Sequence, residues 1–326
     1  MSTATRIPAE LLPALHAYRT AEFATIGRSG VPIAWPTSVL AEDDGSSVLL
    51  GTSIGFPQKA FNVRRDPRVA LLFSEPTGSG AEGLPQVLLQ GTARCTDEIV
   101  TSPVGNERYW SRLWDLQPAG KVYDTNPATR WIMDWYYMRL MITVTPSRVL
   151  TRPAVDATEP LSAPTVPRDE RDAYAETARR LPAYRSAVLC ALDDDGTPSL
   201  RRVRPTADPA QRAFHLIGAA EPLRAGPASL LCHSHDDKQW NLRSMVTVGR
   251  LEARDGGLTF LPARFVPGAG TEPLTLLRMI RQNRRTARTY LERRQQPRPR
   301  IPWHEYAAVK RSAATAAPRS ADARRA

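Results

Sequence analysis

Cysteine is scarce in this chain of 326 residues, and long hydrophobic runs are absent from it. Its three cysteines, Cys95, Cys190 and Cys232, lack the spacing of a metal site and offer no disulfide framework. We predict that each is a small buried hydrophobic residue. No apolar run approaches the ~18 residues of a membrane helix, and Met1–Arg6 leads into no signal-peptide core. These absences predict a soluble, cytoplasmic protein that does not bind membranes.

An excess of acidic residues is also lacking, because the net charge is +11. Residues 281–300 hold eight arginines and one glutamate, and residues 301–326 hold five basic and two acidic residues, so these two segments carry nearly all of the excess. We predict a basic helix from about Leu274 with a disordered tail after it, and interpret its arginines as a solvated face. Contact with a polyanionic cofactor or nucleic acid is the alternative. Because we find no basic groove interleaved with aromatic residues, we do not expect a nucleic-acid partner.

Histidine is the third scarce residue, with five copies. His233 and His235 alternate along a predicted strand edge, which places both imidazoles on one face. We interpret them as polar surface residues at a strand end. A haem- or metal-ligand pair is the alternative, although the spacing supplies no third ligand. No Ser/His/Asp or Cys/His arrangement stands out, so the sequence assigns no catalytic residue.

What the sequence does contain is a complete strand–hairpin–helix–strand unit within Phe23–Arg94. Two alternating strands flank a turn at Gly30, and a further strand follows Gly45. A short helix is predicted over Lys59–Arg65, where an Asp-Pro pair ends it. The hydrophobic strand Arg68–Phe73 then returns the chain to the sheet.

This unit occurs twice. Ala187–Val203 repeats the plan of Phe23–Val39, with Gly196-Thr197-Pro198 in the place of Gly30-Val31-Pro32. Three further landmarks recur in the same order, which predicts a tandem duplication of one β-rich unit. We call the two units the first copy and the second copy. A helix over Asp169–Arg180 is predicted to open the second copy.

The repeat defines the domain boundaries that we expect. The first domain covers residues 1–150 and carries an aromatic insertion at about 97–135. A proline-rich linker, extended and exposed, covers 151–168. The second, degenerate domain covers 169–273, and the basic helix and disordered tail cover 274–326.

The insertion is rich in tryptophan and tyrosine. Its aromatic residues are Tyr109, Trp110, Trp114, Tyr123, Trp131 and Trp135. A helix there would place Trp110 and Trp114 on one face. Core packing is one interpretation, and closure over a flat ring in a cleft between the copies is the other.

A polar cluster lies inside the first copy. Thr52 and Ser53 precede the short helix, and Lys59 lies on it. A phosphate monoester needs a cation and several hydrogen-bond donors, which these side chains and the backbone N–H groups at a helix start can supply. In the alternative interpretation the hydroxyls cap the helix turn and Lys59 is an exposed lysine.

The ordered set of these motifs resembles the pyridoxamine 5′-phosphate oxidase-like, flavin-reductase-type split β-barrel family. The residues that carry the resemblance are Gly30-Val31-Pro32, Thr52, Lys59, Asp66-Pro67 and Gln86–Gly91. It covers residues 23–150 and, more weakly, 187–266. The fold that it implies is mainly β with flanking helices (α+β), in which two split β-barrels in tandem form a pseudo-dimer.

The resemblance also implies a cofactor. In the family this is a flavin, usually FMN, in a groove between two barrels, and here the second copy would serve as the partner barrel. Some branches use a deazaflavin coenzyme instead, and some relatives bind haem. The residues assigned to the isoalloxazine side are Trp35, Pro36, Thr37 and Ser38. Those assigned to the phosphate are Thr52, Ser53 and Lys59, with Asn62 in support, and Gln86 matches a glutamine that reaches the cofactor across the interface.

The function implied is a flavin-dependent oxidoreductase that passes hydride between a small-molecule substrate and the flavin N5. A deazaflavin-dependent reductase and a non-catalytic flavin- or haem-binding protein are the alternatives. Two departures from the family pattern occur, because Trp35 replaces an arginine and Gln58 precedes Lys59 where the family has Arg-Lys. Arg201 of the second copy falls on the arginine position, as a trace of a second site or as a structural residue. No Arg-x-His follows near the C-terminus, so pyridoxamine phosphate is not the expected substrate, and a further homodimer is left open.

Overall fold

The computed structural model describes residues 5–154, 158–217, 223–239, 241–254, 257–268 and 273–316. The strands of the first copy are β1 (Ala21–Ile26), β2 (Pro32–Thr37), β3 (Leu40–Ala41), β4 (Val48–Ser53), β5 (Arg68–Phe73), β6 (Gln86–Cys95) and β7 (Arg139–Arg152). Those of the second copy are β8 (Ala187–Leu192), β9 (Pro198–Asp208), β10 (Ala213–Ile217), β11 (Gly226–Ser234), β12 (Arg243–Arg254) and β13 (Gly257–Pro267). The first set forms a seven-stranded sheet in the order β2-β1-β5-β6-β7-β4-β3, and the second forms a closed barrel in the order β10-β13-β12-β11-β8-β9.

The helices surround these sheets. They are α1 (Leu12–Ala17), α2 (Gln58–Arg65), α3 (Glu107–Leu116), α4 (Pro127–Tyr137), α5 (Ala173–Ala178), α6 (Pro273–Arg293) and α7 (Trp303–Ala316). Within the described ranges, none of them combines the length and the apolar character that crossing a membrane requires. The predicted mainly β fold with flanking helices is confirmed.

The two copies share matching backbone details. Both copies turn their first hairpin at a glycine with positive φ, Gly30 at 78° and Gly196 at 79°. Both also carry a bulge at a glycine on a long strand, at Gly91 and at Gly249. A Cβ at either bulge would lie 2.1 Å from a carbonyl oxygen of the neighbouring strand, so each bulge requires glycine.

The two copies pack against each other through a shared apolar layer. The first copy contributes small residues and leucines, including Ala24, Ala70 and Leu72, and the second contributes Cys190 and Leu231 among others. Polar bonds flank this layer: the Ser229 hydroxyl donates to the Pro32 carbonyl at 2.8 Å, and the Gln90 amide donates to Asp193 at 2.7 Å. The pseudo-dimer predicted from the resemblance is therefore present within one chain.

Two sequence-based expectations need correction at the ends of the second copy. Helix α5 is shorter than the predicted Asp169–Arg180, because the Asp172 side chain caps it by accepting from the Ala175 N–H. Part of the segment expected as a disordered tail is α7, which buries Tyr306 in the aromatic core. Residues 317–326 of that tail lie outside the described residues.

The linker also differs in part from its predicted exposed state. Leu161 is buried in the core of the second copy, and its N–H donates to the Tyr184 carbonyl at 2.7 Å. Residues 155–157 of the linker lie outside the described residues. The buried leucine ties the linker to the second barrel.

Candidate cofactor site

The turn between β4 and α2 holds its hydroxyl groups in internal hydrogen bonds. Thr52 Oγ1 donates to the Phe56 carbonyl at 2.7 Å, and Ser53 Oγ donates to the Trp135 carbonyl at 2.5 Å. Ser53 Oγ also accepts from the Gly55 N–H at 3.0 Å. Both side chains thus stabilise the turn. They do not cap α2, because its N-cap residue is Pro57 and no side-chain cap bond is present there among the described residues.

Lys59 is a cation with no acidic partner among the described residues. It lies half-buried on the first turn of α2. In the part of the chain that the structure describes, no carboxylate lies within 4 Å of its ammonium group. Burial, and to a lesser extent the positive charge of Arg139, lowers the pKa of Lys59 from 10.5 to about 8. An anion bound beside this ammonium group would stabilise its charged form.

Arg139 is a second cation in the same region, and the sequence analysis did not identify it. It opens β7 directly opposite Ser53 of β4 and is buried, with 6% exposure. Its guanidinium lies 4.1 Å from the Tyr136 ring centroid and 5.2 Å from that of Trp110. Nη1 donates to the Gly51 carbonyl at 3.4 Å, whereas Nε and Nη2 are buried without a partner among the described residues. The one signal in the sequence is an arginine directly before an apolar strand.

Burying a charge without a counterion is costly, so two such cations together form a site that favours an anion. A phosphate group fits the chemistry of this donor set, because Lys59 supplies a mobile point charge and Arg139 supplies unpaired N–H donors. The side chains Thr52 and Ser53 border the site without donating to it.

The lowered pKa of Lys59 leads to a test on the free protein. Because its folded-state pKa lies below 10.5, its charge destabilises the fold fully below pH 8, and this cost disappears as the pH rises to 10.5. We therefore expect Lys59→Met to raise the free energy of unfolding at pH 7 and to have a shrinking effect towards pH 10. Urea titrations of both proteins at each pH measure this. A pH-independent difference would contradict the buried-charge explanation.

The remaining residues assigned to the cofactor are distributed over two places. Trp35 and Pro36 are half-buried on β2, whereas Thr37 and Ser38 are buried beside them. Ser38 Oγ accepts from Gln117 at 3.0 Å, which ties the end of β2 to the insertion. These four residues border one edge of the first sheet, and their role towards a ring stays a prediction.

Asn62 and Gln86 have partners inside the protein. Asn62 is buried; its amide donates to the Thr25 hydroxyl at 2.9 Å, and its carbonyl accepts from Gln58 and Arg65.

Gln86 pairs with Arg152 at the far end of β7 from Arg139, so Gln86 lies away from Lys59. Its amide donates to the Pro153 carbonyl at 2.9 Å, and its own carbonyl oxygen is buried without a partner among the described residues. Gln86 therefore lies at the end of β7 that faces the second copy near Arg201. This follows because Arg152, its neighbour across the strands, donates to the carbonyl of Leu200, the residue before Arg201.

The aromatic insertion forms a core. Trp110 and Trp114 are buried at about 1% exposure and lie in one cluster with Tyr137 and Tyr306. Trp135 presses on Gly55, where an added Cβ would lie 2.6 Å from its ring. Of the two interpretations of the insertion, the structure thus supports core packing for these three tryptophans. Trp131 differs from them, with 68% exposure.

The two histidines of the second copy are buried, contrary to the surface position predicted for them. His233 Nε2 lies 2.8 Å from Glu22 Oε1, and His235 Nε2 lies 3.2 Å from the Thr20 hydroxyl. Burial lowers the pKa of His235. No cluster of three metal-ligating side chains occurs in the described ranges. The strand pattern predicted a polar strand end at the surface, but Glu22 and Thr20 of the first copy pack against this end.

These histidines line a cleft of about 410 Å³ between the two copies. Its base is an ion network in which Arg202 contacts Glu22 at 2.8 Å and Glu75 at 3.2 Å. Arg202 also donates to the hydroxyls of Ser74 and Ser186, each at 2.8 Å. Its guanidinium is fully engaged, so the network joins the copies rather than offering free donors.

No protein-family model matches the chain, and no curated protein matches it either. Among solved structures, it is similar to a conserved hypothetical protein from Mycobacterium tuberculosis, with 24% identity, a TM-score of 0.34, and coverage of 47% of this chain and 88% of that one. It is also similar to an F420 reductase (20% identity, TM-score 0.30, 44% of this chain and 98% of that one). A third similar structure is an FAD-binding protein from Mesorhizobium loti, with 17% identity, a TM-score of 0.31, and coverage of 47% of this chain and 98% of that one. Each of these likenesses covers less than half of this chain.

Proposed function

We propose that this chain binds a phosphate-bearing flavin, FMN in the first instance, and acts as a flavin-dependent oxidoreductase on a small molecule. The observation that carries the proposal is the pair of cations at the junction of β4, β7 and α2. Lys59 and Arg139 have no carboxylate within 4 Å among the described residues, and the pKa of Lys59 is lowered to about 8. A dianionic phosphate would offset both charges.

The residues of this chain would bind and orient the cofactor. Lys59 would pair with the phosphate, and Arg139 would contribute its unpaired Nε and Nη2 donors. Trp35 and Pro36, half-exposed at the edge of the first sheet, supply an apolar surface of the kind that a flat ring needs. The flavin itself, when bound, supplies the hydride chemistry.

A deazaflavin coenzyme is the alternative within the same site, because it also carries a phosphate beside a flat ring. The absorption spectrum of the purified protein, with the mass of whatever heat releases, distinguishes the two. Haem would give a Soret band and would need an axial ligand, which the buried His233 and His235 do not offer freely.

The decisive variant is Lys59→Ala. A charge-assisted hydrogen bond contributes about 1.5–3 kcal/mol, so the Kd for FMN is expected to rise about 10- to 100-fold. Quenching of FMN fluorescence on titration with the protein measures it. Lys238→Ala is the matched control, since Lys238 is an exposed lysine on a turn of the second copy. Equal Kd values for the wild type and Lys59→Ala would remove Lys59 from the site.

A further inference from the structure

Helix α6 carries a row of exposed arginines along its outer face. Arg278, Arg281, Arg285 and Arg288 follow one another at intervals of three and four residues, which places them on one side of the helix. The rise of 1.5 Å per residue spreads them over roughly 15 Å. Glu292 closes the row one turn later.

This row has no counterions among the residues that the structure describes. Among the described residues, none of the four arginines has a carboxylate within 4 Å. The opposite face of α6 is fixed to the body, because Asn283, Ala287, Tyr290 and Leu291 are buried. The helix therefore cannot rotate to bury its arginines, and the positive charge stays directed at solvent.

An exposed tryptophan lies beside the row. Trp131, from the insertion, is covered on one side by Arg284 of α6, whose guanidinium carbon lies 4.2 Å from its ring centroid. Its side chain nevertheless remains 68% exposed. An indole held by an arginine and open to solvent is a surface on which a flat base can stack.

The same tryptophan borders an open groove of about 520 Å³. Arg130, Arg300 and Trp303 also line this groove. Its one acidic residue, Asp134, is neutralised by Arg298 at 2.6 Å and by Arg284 at 3.6 Å. The groove thus combines cations with aromatic rings and adds no free negative charge from the residues that line it.

We propose that the face formed by the α6 arginine row, Trp131 and this groove binds single-stranded nucleic acid. The arginine row would contact successive phosphates, while an unpaired base would stack on Trp131. A double helix hides its base faces, and an acidic peptide would use the arginines without needing the exposed indole. The site is separate from the candidate cofactor site and does not depend on the flavin proposal. It also revises the expectation of no nucleic-acid partner, because the aromatic group comes from a segment about 150 residues away.

The test is fluorescence anisotropy of a labelled 20-nucleotide DNA strand of mixed sequence with the full chain, at 50–200 mM KCl. The triple variant R281Q/R285Q/R288Q is expected to weaken binding at least tenfold at 100 mM KCl. It should also reduce the slope of log K against log salt by about 2, since each phosphate contact in a single strand contributes about 0.7. Trp131→Ala should weaken binding about tenfold and leave that slope unchanged.

The matched control is R171Q/R250Q/R264Q, which removes the same charge from exposed arginines of the second copy. It is expected to stay within about threefold of the wild type, because charges beyond a Debye length of roughly 8–10 Å are screened. An equal loss in this control would overturn the proposal, as would unchanged binding by the row variant. Equal affinity of the protein for the single strand and for the duplex of the same sequence would overturn the stacking contact. Binding of polyglutamate or of anionic vesicles, without binding of DNA, would assign the arginine row to those partners instead. Circular dichroism of each variant shows that the exposed substitutions leave the fold intact.

Discussion

Trp110→Ala is expected to lower the free energy of unfolding by about 3–5 kcal/mol. The indole is almost fully buried and stacks on Tyr137 with ring centroids 5.4 Å apart. It also meets Tyr306 edge to face at 4.9 Å. Since these rings come from α3, α4 and α7, the substitution leaves a cavity at the point where the insertion and the C-terminal helix join. Urea unfolding followed by circular dichroism measures the loss.

Trp131→Ala is the matched control from the same insertion. Its side chain is largely exposed, so its removal should change the free energy of unfolding by no more than about 0.5 kcal/mol. Similar losses for the two variants would contradict the distinction between a core tryptophan and a surface tryptophan. They would also weaken the assignment of Trp131 to a binding face.

Arg202→Ala should have an effect of similar size for a different reason. Arg202 contacts Glu22 at 2.8 Å, and both side chains are buried between the two copies. Removing the arginine leaves the Glu22 carboxylate buried with the Ser74 hydroxyl and His233 as its hydrogen-bond partners and without the guanidinium charge. Breaking a buried ion pair in this way costs about 3–5 kcal/mol. The effect is measured by urea unfolding at pH 7.

The control for this variant is another arginine that lies between two carboxylates. Arg108 contacts Glu42 at 2.9 Å and Asp43 at 2.8 Å, but its side chain is 56% exposed. Arg108→Ala should cost less than about 1 kcal/mol, because water and salt screen such pairs. If the two arginine variants cost the same, burial would not be the cause of the Arg202 effect.

The candidate phosphate site lies at the β4–α2 turn, which other parts of the chain pack against. The insertion and α6 cover the outer side of the β4–α2 turn. Trp135 and Asn283 both pack on Gly55 there, where an added Cβ would lie 2.6 Å from Trp135 and 3.1 Å from Asn283. The candidate phosphate site is therefore held by elements that lie far apart in the sequence, which restricts its movement.

The sequence by itself determined the local units and their repetition. The hairpin at Gly30 was predicted from its turn residues, β5 was predicted at Arg68–Phe73 as observed, and α2 was predicted to within one residue. The repeat predicted two β-rich units, and the place of Lys59 in the ordered motif made it a candidate phosphate ligand. Such features depend on residues close together in the chain, where turn chemistry and alternation of side chains decide the backbone.

Only the tertiary structure decided which charged side chains are buried and which residues contact them. Arg139 lies opposite Ser53 because β4 and β7 pair, and no local pattern marks it as a buried cation that lacks a counterion among the described residues. His233 was expected at the surface, but the packing of the first copy buries it against Glu22. Trp131 and Arg284 meet across about 150 residues. Burial and charge compensation arise from contacts between distant segments, so they follow from the assembled fold and not from the order of residues.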